Sequence, residues 1–208
     1  MTQVQLLKYG VAIKMAWGKA GTTTLGTAGD DLDITSMTSS NFSQILGHHI
    51  NSGNKAVNIT FNNNANSVYA RRKSFNGGAD STAVSQTKFD INLNNSAPEF
   101  FVSYVNDIAS EEKLMMLWNV DTNTAGAGNA PTRHEWVGKF VPSPSARITR
   151  IDTNNTGSGD FAVDSNITVL GSDLTPAAAV PFAENAQVGS RAEITDTRKW
   201  NIHTYVSL

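Results

Sequence analysis

The sequence predicts an all-β protein that folds as a jelly-roll or β-sandwich of about ten short antiparallel strands, with extended N- and C-terminal arms. Short runs alternate apolar and polar residues, which is the period-2 pattern of a strand with one buried face. The stretches between them consist almost wholly of Asn, Gly, Asp, Ser and Thr, which are typical of turns. At 208 residues the chain is long enough to bury the core of one such domain.

The strands are predicted from this alternation. It is clearest in 57–61, with Val57, Ile59 and Phe61 on one face, and in 89–93. Residues 114–120 are apolar on both faces, which predicts a strand covered on both sides. The other predicted strands are 32–37, 42–50, 67–75, 100–105, 135–141, 147–152 and 166–170. Residues 108–113 allow at most a turn or two of helix, and a polar bend is favoured there.

The chain divides by composition into four parts. Residues 1–21 are an apolar and basic N-terminal arm, 22–172 form the β-domain, and the Pro- and Ala-containing stretch 173–190 is a linker. Residues 191–208 alternate again and are predicted as a C-terminal strand or arm. An unpaired terminal strand readily adds to the edge of another sheet. The predicted assembly contacts are Trp17, Trp200, Ile202 and Val206.

Composition excludes several function classes. Charged residues make up 16% of the chain and the formal net charge is −2. Direct binding of nucleic acid would require a clustered excess of Lys and Arg, which the chain does not have, so we do not expect it. Residues 4–17 are too short and too charged to span a membrane. There is no cysteine, no Gly-x-Ser-x-Gly elbow and no phosphate-binding loop. We therefore expect no enzymatic activity, no cofactor, and neither nucleic acid nor membrane as a partner.

Two loops, 121–126 and 152–157, resemble the opening of a calcium-binding loop. Their twelfth positions carry Thr132 and Val163 where that motif has a bidentate Glu, so ordinary Asx turns are favoured. Asp152, Asn154 and Asp160 remain the weak candidates for a looser calcium site.

One local cluster of basic residues lies in the predicted strand 67–75. Tyr69, Arg71 and Lys73 would share one face there, and such an aromatic–basic stripe is a candidate surface for an acidic neighbour or a glycan. The favoured alternative is a solvated outer face with snorkelling side chains.

Two sets of motifs carry a family resemblance. An ordered set of motifs resembles uncharacterised virion-associated proteins of marine tailed phages and environmental viruses: 67–80 (SVYARRKSFNGGAD), Thr82, 85–87 (SQT), 124–133 (TAGAGNAPTR), 137–140 (VGKF), 159–161 and 169–171. Residues 189–200 (GSRAEITDTRKW) are similar to a recurrent segment of phage fibre and surface proteins, although Ala192 and Ile194 replace its usual aromatic residue and second Glu. The resemblance implies a component of a virus particle and no catalytic residues.

Three function classes therefore remain. The leading hypothesis is a viral structural protein: a repeating jelly-roll subunit of a virus particle, used as a capsid, decoration or fibre component and assembled through its terminal arms. Its location would be the virion, and its partners would be further copies of itself and other virion proteins. The alternative is a receptor- or carbohydrate-binding module on the virion surface, with a host glycan as partner. A polysaccharide-degrading enzyme is the least favoured.

Overall fold

The computed structural model describes residues 17–50, 53, 56–91, 97–121 and 126–172, together with the backbone of 191–194 and 199–202. The chain divides into two compact units. The larger, Lys14–Thr175, contains eleven strands: β1 Trp17–Thr24, β2 Phe42–His49, β3 Val57–Phe61, β4 Tyr69–Phe75, β5 Ser81–Gln86, β6 Phe89–Asp90, β7 Glu99–Asn106, β8 Lys113–Asp121, β9 Thr132–Phe140, β10 Ile151–Asn155 and β11 Asn166–Ser172. The other unit contains a hairpin of β12 Arg191–Ile194 and β13 Lys199–Ile202.

The larger unit is a β-sandwich. Eight strands form an antiparallel sheet in the order β1-β11-β2-β7-β8-β9-β4-β5, and three form a second antiparallel sheet in the order β10-β3-β6. The prediction of an all-β sandwich is confirmed. This division into eight and three strands does not confirm a jelly roll, which is built from two Greek keys.

The core of the sandwich is aromatic at its centre. Tyr69 stacks on Phe140 with ring centroids 4.9 Å apart, and Phe61 and Phe89 meet them edge-on from the smaller sheet. All four rings are at most 1% exposed. Edge-to-face and offset rings are favoured because the positive edge of one ring meets the negative face of another. These contacts join the two sheets.

Gly47 marks a close approach inside the larger sheet. It pairs with Phe101 across β2 and β7, and the Phe101 ring occupies the place of a side chain at this position. A Cβ atom on Gly47 would lie 1.9 Å from the nearest carbon of that ring. Only glycine therefore fits without displacing Phe101, which is fully buried.

A buried ionic network fixes the turn between β7 and β8. Asp107 accepts hydrogen bonds from the Ile148 amide at 3.0 Å and from Arg147 Nε at 3.1 Å. Lys113 Nζ lies 3.8 Å from Asp107 and donates to the carbonyls of Ile108 and Glu111. Asp107 and Lys113 are both fully buried. Residues 108–113 therefore form a turn leading into β8, which agrees with the polar bend favoured from the sequence.

Several elements differ from the prediction. The strand predicted at 147–152 is β10 Ile151–Asn155, and the strand predicted at 89–93 is β6 Phe89–Asp90. Residues 17–21, assigned to the N-terminal arm, are the first half of β1, which pairs with β11. β5 was missed because its strand lies at the sheet edge, where most of its side chains are exposed and no apolar alternation is required. Residues 32–37 make only isolated bridges to residues of the β10 region instead of a full strand.

Candidate functional site

The most distinctive surface of the sandwich is the outer face of the eight-stranded sheet. We call it the apolar face. It carries large hydrophobic residues that are 38–69% exposed. They are Trp17, Phe42, Val84, Phe100, Tyr104, Leu114, Met116, Trp118, Val120 and Val137. They come from six strands of one sheet.

The alternation of β8 creates the centre of this face. Leu114, Met116, Trp118 and Val120 point outward and are exposed, whereas the residues between them are buried. The strand is thus apolar on the side that faces solvent and carries Lys113, Asn119 and Asp121 among its inward positions. The sequence predicted a strand covered on both sides, and within the described ranges no element covers the outer one.

Cross-strand register makes the apolar face continuous. Met116 lies opposite Tyr104 of β7 on one side and opposite Val137 of β9 on the other. Trp118 lies opposite Val102 in the neighbouring row. Side chains opposite each other in adjacent strands stand about 4.5–5.5 Å apart, so these side chains form one surface.

Three aromatic side chains follow one another across this surface. The ring of Tyr104 meets Trp17 edge-on, with centroids 6.5 Å apart, and meets Trp118 edge-on at 6.3 Å. The Tyr104 hydroxyl accepts a hydrogen bond from Gln44 Nε2 at 3.1 Å. The aromatic row therefore has fixed ring geometry and one polar contact.

Beside this row lies an open groove of about 920 Å³. Its floor and walls include Phe42, Tyr104, Leu114, Met116 and Val137, so the surface that it offers is mainly apolar. Arg72 and Lys139 border it. A groove of this size and composition suits an apolar occupant.

Most of the charged residues around the apolar face are paired. Arg72 pairs with Asp80 at 3.3 Å, Lys139 with Glu112 at 3.0 Å, and Arg133 with Glu135 at 3.6 Å. Lys19 of β1 is a further exposed cation on the side of Trp17. The charge around this face is therefore close to balanced and gives little attraction for a polyanion.

A second cluster of functional groups lies inside the sandwich. His49 Nδ1 is 2.9 Å from Glu99 Oε1, and the His49 ring stacks on Phe161 with centroids 4.7 Å apart. Asp121 lies opposite Glu99 across β7 and β8, and its Oδ2 is 3.8 Å from His134 Nε2. Burial lowers the pKa of His134 below its ordinary value, and this outweighs the opposing effect of Asp121.

These acid–base residues are closed off from solvent. His49, Glu99 and Asp121 are 0–2% exposed. General acid–base catalysis requires contact between the catalytic group and substrate, and buried side chains do not offer it in this arrangement. In the part of the chain that the structure describes, no group of three or more His, Asp or Glu residues could hold a metal ion.

The predicted surface-binding stripe lies on the opposite face from the one expected. Tyr69 is 1% exposed and its hydroxyl accepts from the Phe61 amide at 3.0 Å. Arg71 pairs with Asp90 at 3.6 Å across the interior, and burial lowers the pKa of Lys73. The prediction that Tyr69, Arg71 and Lys73 form an exposed surface is wrong, because β4 turns this face toward the smaller sheet.

The calcium candidates are engaged in other bonds. Asp152 accepts from Arg150 Nε and from the Asn63 amide, the latter at 2.9 Å, and Asn154 donates to Asp31. Asp160 is exposed. Burial, with the nearby Asp152, raises the pKa of Asp33 to about 6. Asn154 therefore ties Asp31 to β10, and Asp152 holds Arg150 and the turn after β3.

Of the four predicted assembly residues, the structure describes the side chain of one. Trp17 lies on the apolar face and is 39% exposed. Trp200 and Ile202 belong to β13, of which only the backbone is described, and Val206 lies outside the described residues. Trp118, predicted as a core residue, is 44% exposed beside the aromatic row.

Comparisons of the chain with protein-family models, with curated proteins and with solved structures gave no match. The part of the chain that the structure describes contains no helix with the length and apolar character that a membrane crossing requires.

Sequence reasoning missed Tyr104, Met116 and Val137 as surface residues. The available signal was the two-sided apolar pattern of 114–120, which is equally typical of a buried strand and of an unpartnered apolar surface. Only the three-dimensional arrangement separates the two.

Proposed function

We propose that this protein is a structural subunit of a virus particle, repeated in many copies as a capsid, decoration or fibre component and located in the virion. The observation that carries the proposal is the apolar face. A rigid sandwich with a broad apolar outer surface is a building block that requires a neighbour. The motif resemblance to virion-associated and phage fibre proteins supports the particle as the setting.

The size of the apolar face favours assembly. Soluble monomers rarely expose a contiguous apolar patch larger than about 300–600 Å². Ten residues that are 38–69% exposed leave roughly 100 Å² each in contact with water, or on the order of 1,000 Å² together. Exposure on this scale marks an interaction surface.

The strand edges offer a second mode of assembly. β1 and β5 are the outer strands of the larger sheet, and within the described ranges each is paired on one side only. The open backbone groups of such edges accept an added strand from a neighbour. We propose that terminal arms of neighbouring copies use these edges, which leaves the apolar face for a different contact.

A carbohydrate-binding module is the second candidate, and the aromatic row favours it. Trp17, Tyr104 and Trp118 could present ring faces to sugar rings. Sugars also require hydrogen-bonding groups close to the rings, whereas Leu114 and Met116 lie beside this row. This apolar setting is why the structural role is preferred.

The proposal is tested by measuring the mass and the shape of the particles that the full chain forms in solution. Light scattering after size exclusion, followed by negative-stain microscopy, should give a regular oligomer of high mass, such as rings, tubes or shells. A glycan array with the same preparation tests the second candidate. A chain that stays monomeric at micromolar concentration would exclude the self-assembling subunit.

A further inference from the structure

The apolar face has the area that a stable contact between two protein subunits needs. A specific interface of standard size takes about 800 Å² from each partner. The apolar face exposes on the order of 1,000 Å² on its large hydrophobic residues alone, each of them 38–69% exposed. One partner protein of similar breadth would therefore remove most of this surface from water.

The rim decides which kind of partner fits. Three ion pairs, Arg72–Asp80, Lys139–Glu112 and Arg133–Glu135, leave its charge close to balanced, with Lys19 as a further exposed cation near Trp17. A face with a large surplus charge of one sign would repel a second copy of itself. A nearly neutral rim around an apolar centre is compatible with a second copy, as an isologous two-fold interface requires.

The shape of the surface points the same way. It is the face of one broad antiparallel sheet, and sheets pack face to face about 10 Å apart with their apolar side chains interdigitating. Met116 lies in the middle strands of this face, between Tyr104 and Val137. A two-fold axis near Met116 would bring the same central residues of both copies together.

We propose that a second copy of this chain covers the apolar face, so that two sandwiches pack sheet against sheet about a two-fold axis near Met116. The contact is isologous and is centred on side chains of β7, β8 and β9. It rests on the proposed function only in requiring self-association, and it adds a face-to-face contact to assembly through terminal arms.

The first test asks whether the apolar faces of two copies lie close together. The chain contains no cysteine, so a single introduced thiol can be cross-linked specifically. Met116→Cys in the full chain introduces a single thiol at the centre of the face. A short bis-maleimide should then link two copies into one covalent dimer. Val163→Cys is the control, because Val163 is equally exposed, at 46%, but lies in the turn before β11.

The contribution of the apolar face to the free energy of self-association is tested with a matched pair of substitutions. Val137→Glu places a carboxylate on the apolar face, where Val137 is 50% exposed, and Val163→Glu makes the same change at a site that is 46% exposed. We expect Val137→Glu to weaken self-association roughly 30-fold or more, as loss of a central interface residue does. Val163→Glu should leave the association constant unchanged. Because both valines are exposed, both variants should fold, and circular dichroism and the unfolding midpoint confirm this.

The outcomes separate this inference from the proposed function. A Met116 cross-link together with weakened association in Val137→Glu supports both. Oligomers that form without that cross-link and that tolerate Val137→Glu overturn the face-to-face contact while leaving the assembly role intact. A monomeric full chain overturns both. In that case, maleimide reactivity of Met116→Cys distinguishes an open face from one covered by other residues of the same chain.

Discussion

Replacing Asp107 tests whether the buried ionic network holds the β7–β8 turn. Its carboxylate accepts from the Ile148 amide and Arg147 Nε and lies 3.8 Å from Lys113 Nζ, inside a region where Asp107 and Lys113 are fully buried. The Asp107→Ala variant removes the acceptor and keeps the donors. A buried ammonium and a buried amide are then left without this partner.

The cost follows from these contacts. Removing one partner of a buried ion pair costs about 3–5 kcal/mol, because the other charge remains desolvated. For a domain of this size each 1 kcal/mol lowers the melting temperature by about 2–4 °C, so we expect a decrease of roughly 10 °C. A typical domain has only about 5–15 kcal/mol of stability in total. The substitution should therefore be visible in any equilibrium measurement.

A double variant separates the effect of the unpaired Lys113 charge from the effect of changing the side chain at position 107. Burial raises the pKa of Asp107 despite the opposing hydrogen bonds from the Ile148 amide and Arg147, so desolvation of this carboxylate is not fully compensated. Because Lys113→Met removes the second buried charge, Asp107→Ala/Lys113→Met should be more stable than Asp107→Ala alone. Replacement of a complete buried pair by apolar groups is often close to neutral.

The assay is urea unfolding at pH 7, followed by tryptophan fluorescence, with the unfolding free energy compared among wild type, Asp107→Ala and the double variant. An Asp107→Ala variant within about 0.5 kcal/mol of wild type would refute the reasoning, since that change is no larger than an ordinary surface substitution gives. A double variant that is less stable than Asp107→Ala would also refute it, because it would show that Lys113 needs no carboxylate partner.

Three further predictions concern the sandwich interior. Burial lowers the pKa of His134 below 6.5, so the unfolded chain takes up a proton at a higher pH than the folded chain does. The free energy of unfolding should therefore decrease as the pH falls below about 6.5, by up to about 1.4 kcal/mol per pH unit. His134→Gln should remove this contribution when urea unfolding is compared between about pH 7.5 and 5.5. Gly47→Ala should cost about 1–3 kcal/mol in the same assay, because its new methyl group would displace the Phe101 ring. Tyr69→Phe should cost about 1–2 kcal/mol, since the hydroxyl accepts from one backbone amide and donates to a carbonyl at 2.8 Å.

Two of these have a control of the same chemistry. His48→Gln replaces an exposed histidine, and Gly26→Ala adds a methyl group with no atom within 4 Å. We expect both controls to remain within about 0.5 kcal/mol of wild type, as ordinary surface substitutions do. A His134→Gln variant with the wild-type pH slope, or a control that matches its test variant, would contradict the stated cause.

Most strands were predictable because their apolar residues alternate with polar ones, so that one face of the strand is apolar and the other polar. Residues 57–61 are predicted with the bounds that β3 has, since Val57, Ile59 and Phe61 all enter the core. β5 was not predictable, because Ser81–Gln86 is an edge strand with mostly exposed side chains. Propensity and alternation report burial on one face, and an edge strand need not have it.

The site was less predictable than the fold. Trp17 was identified as a contact residue from its position in the chain, and it does lie on the apolar face. Tyr69 and Trp118 were assigned to the wrong sides: Tyr69 is in the core and Trp118 is exposed. Alternation shows which residues share a face, but both faces of these strands contain aromatic residues, so the pattern does not show which face is inside.

By itself, the sequence determined the fold class and the positions of most strands and turns. These follow from local chemistry: apolar alternation selects strands, and Asn, Gly and Asp select turns. Only the tertiary structure decided that β4 turns Tyr69 inward and that β8 turns Met116 and Trp118 outward. The physical reason is that a face is buried only when a second layer lies on it, and within the described residues the smaller sheet lies on one face of the larger.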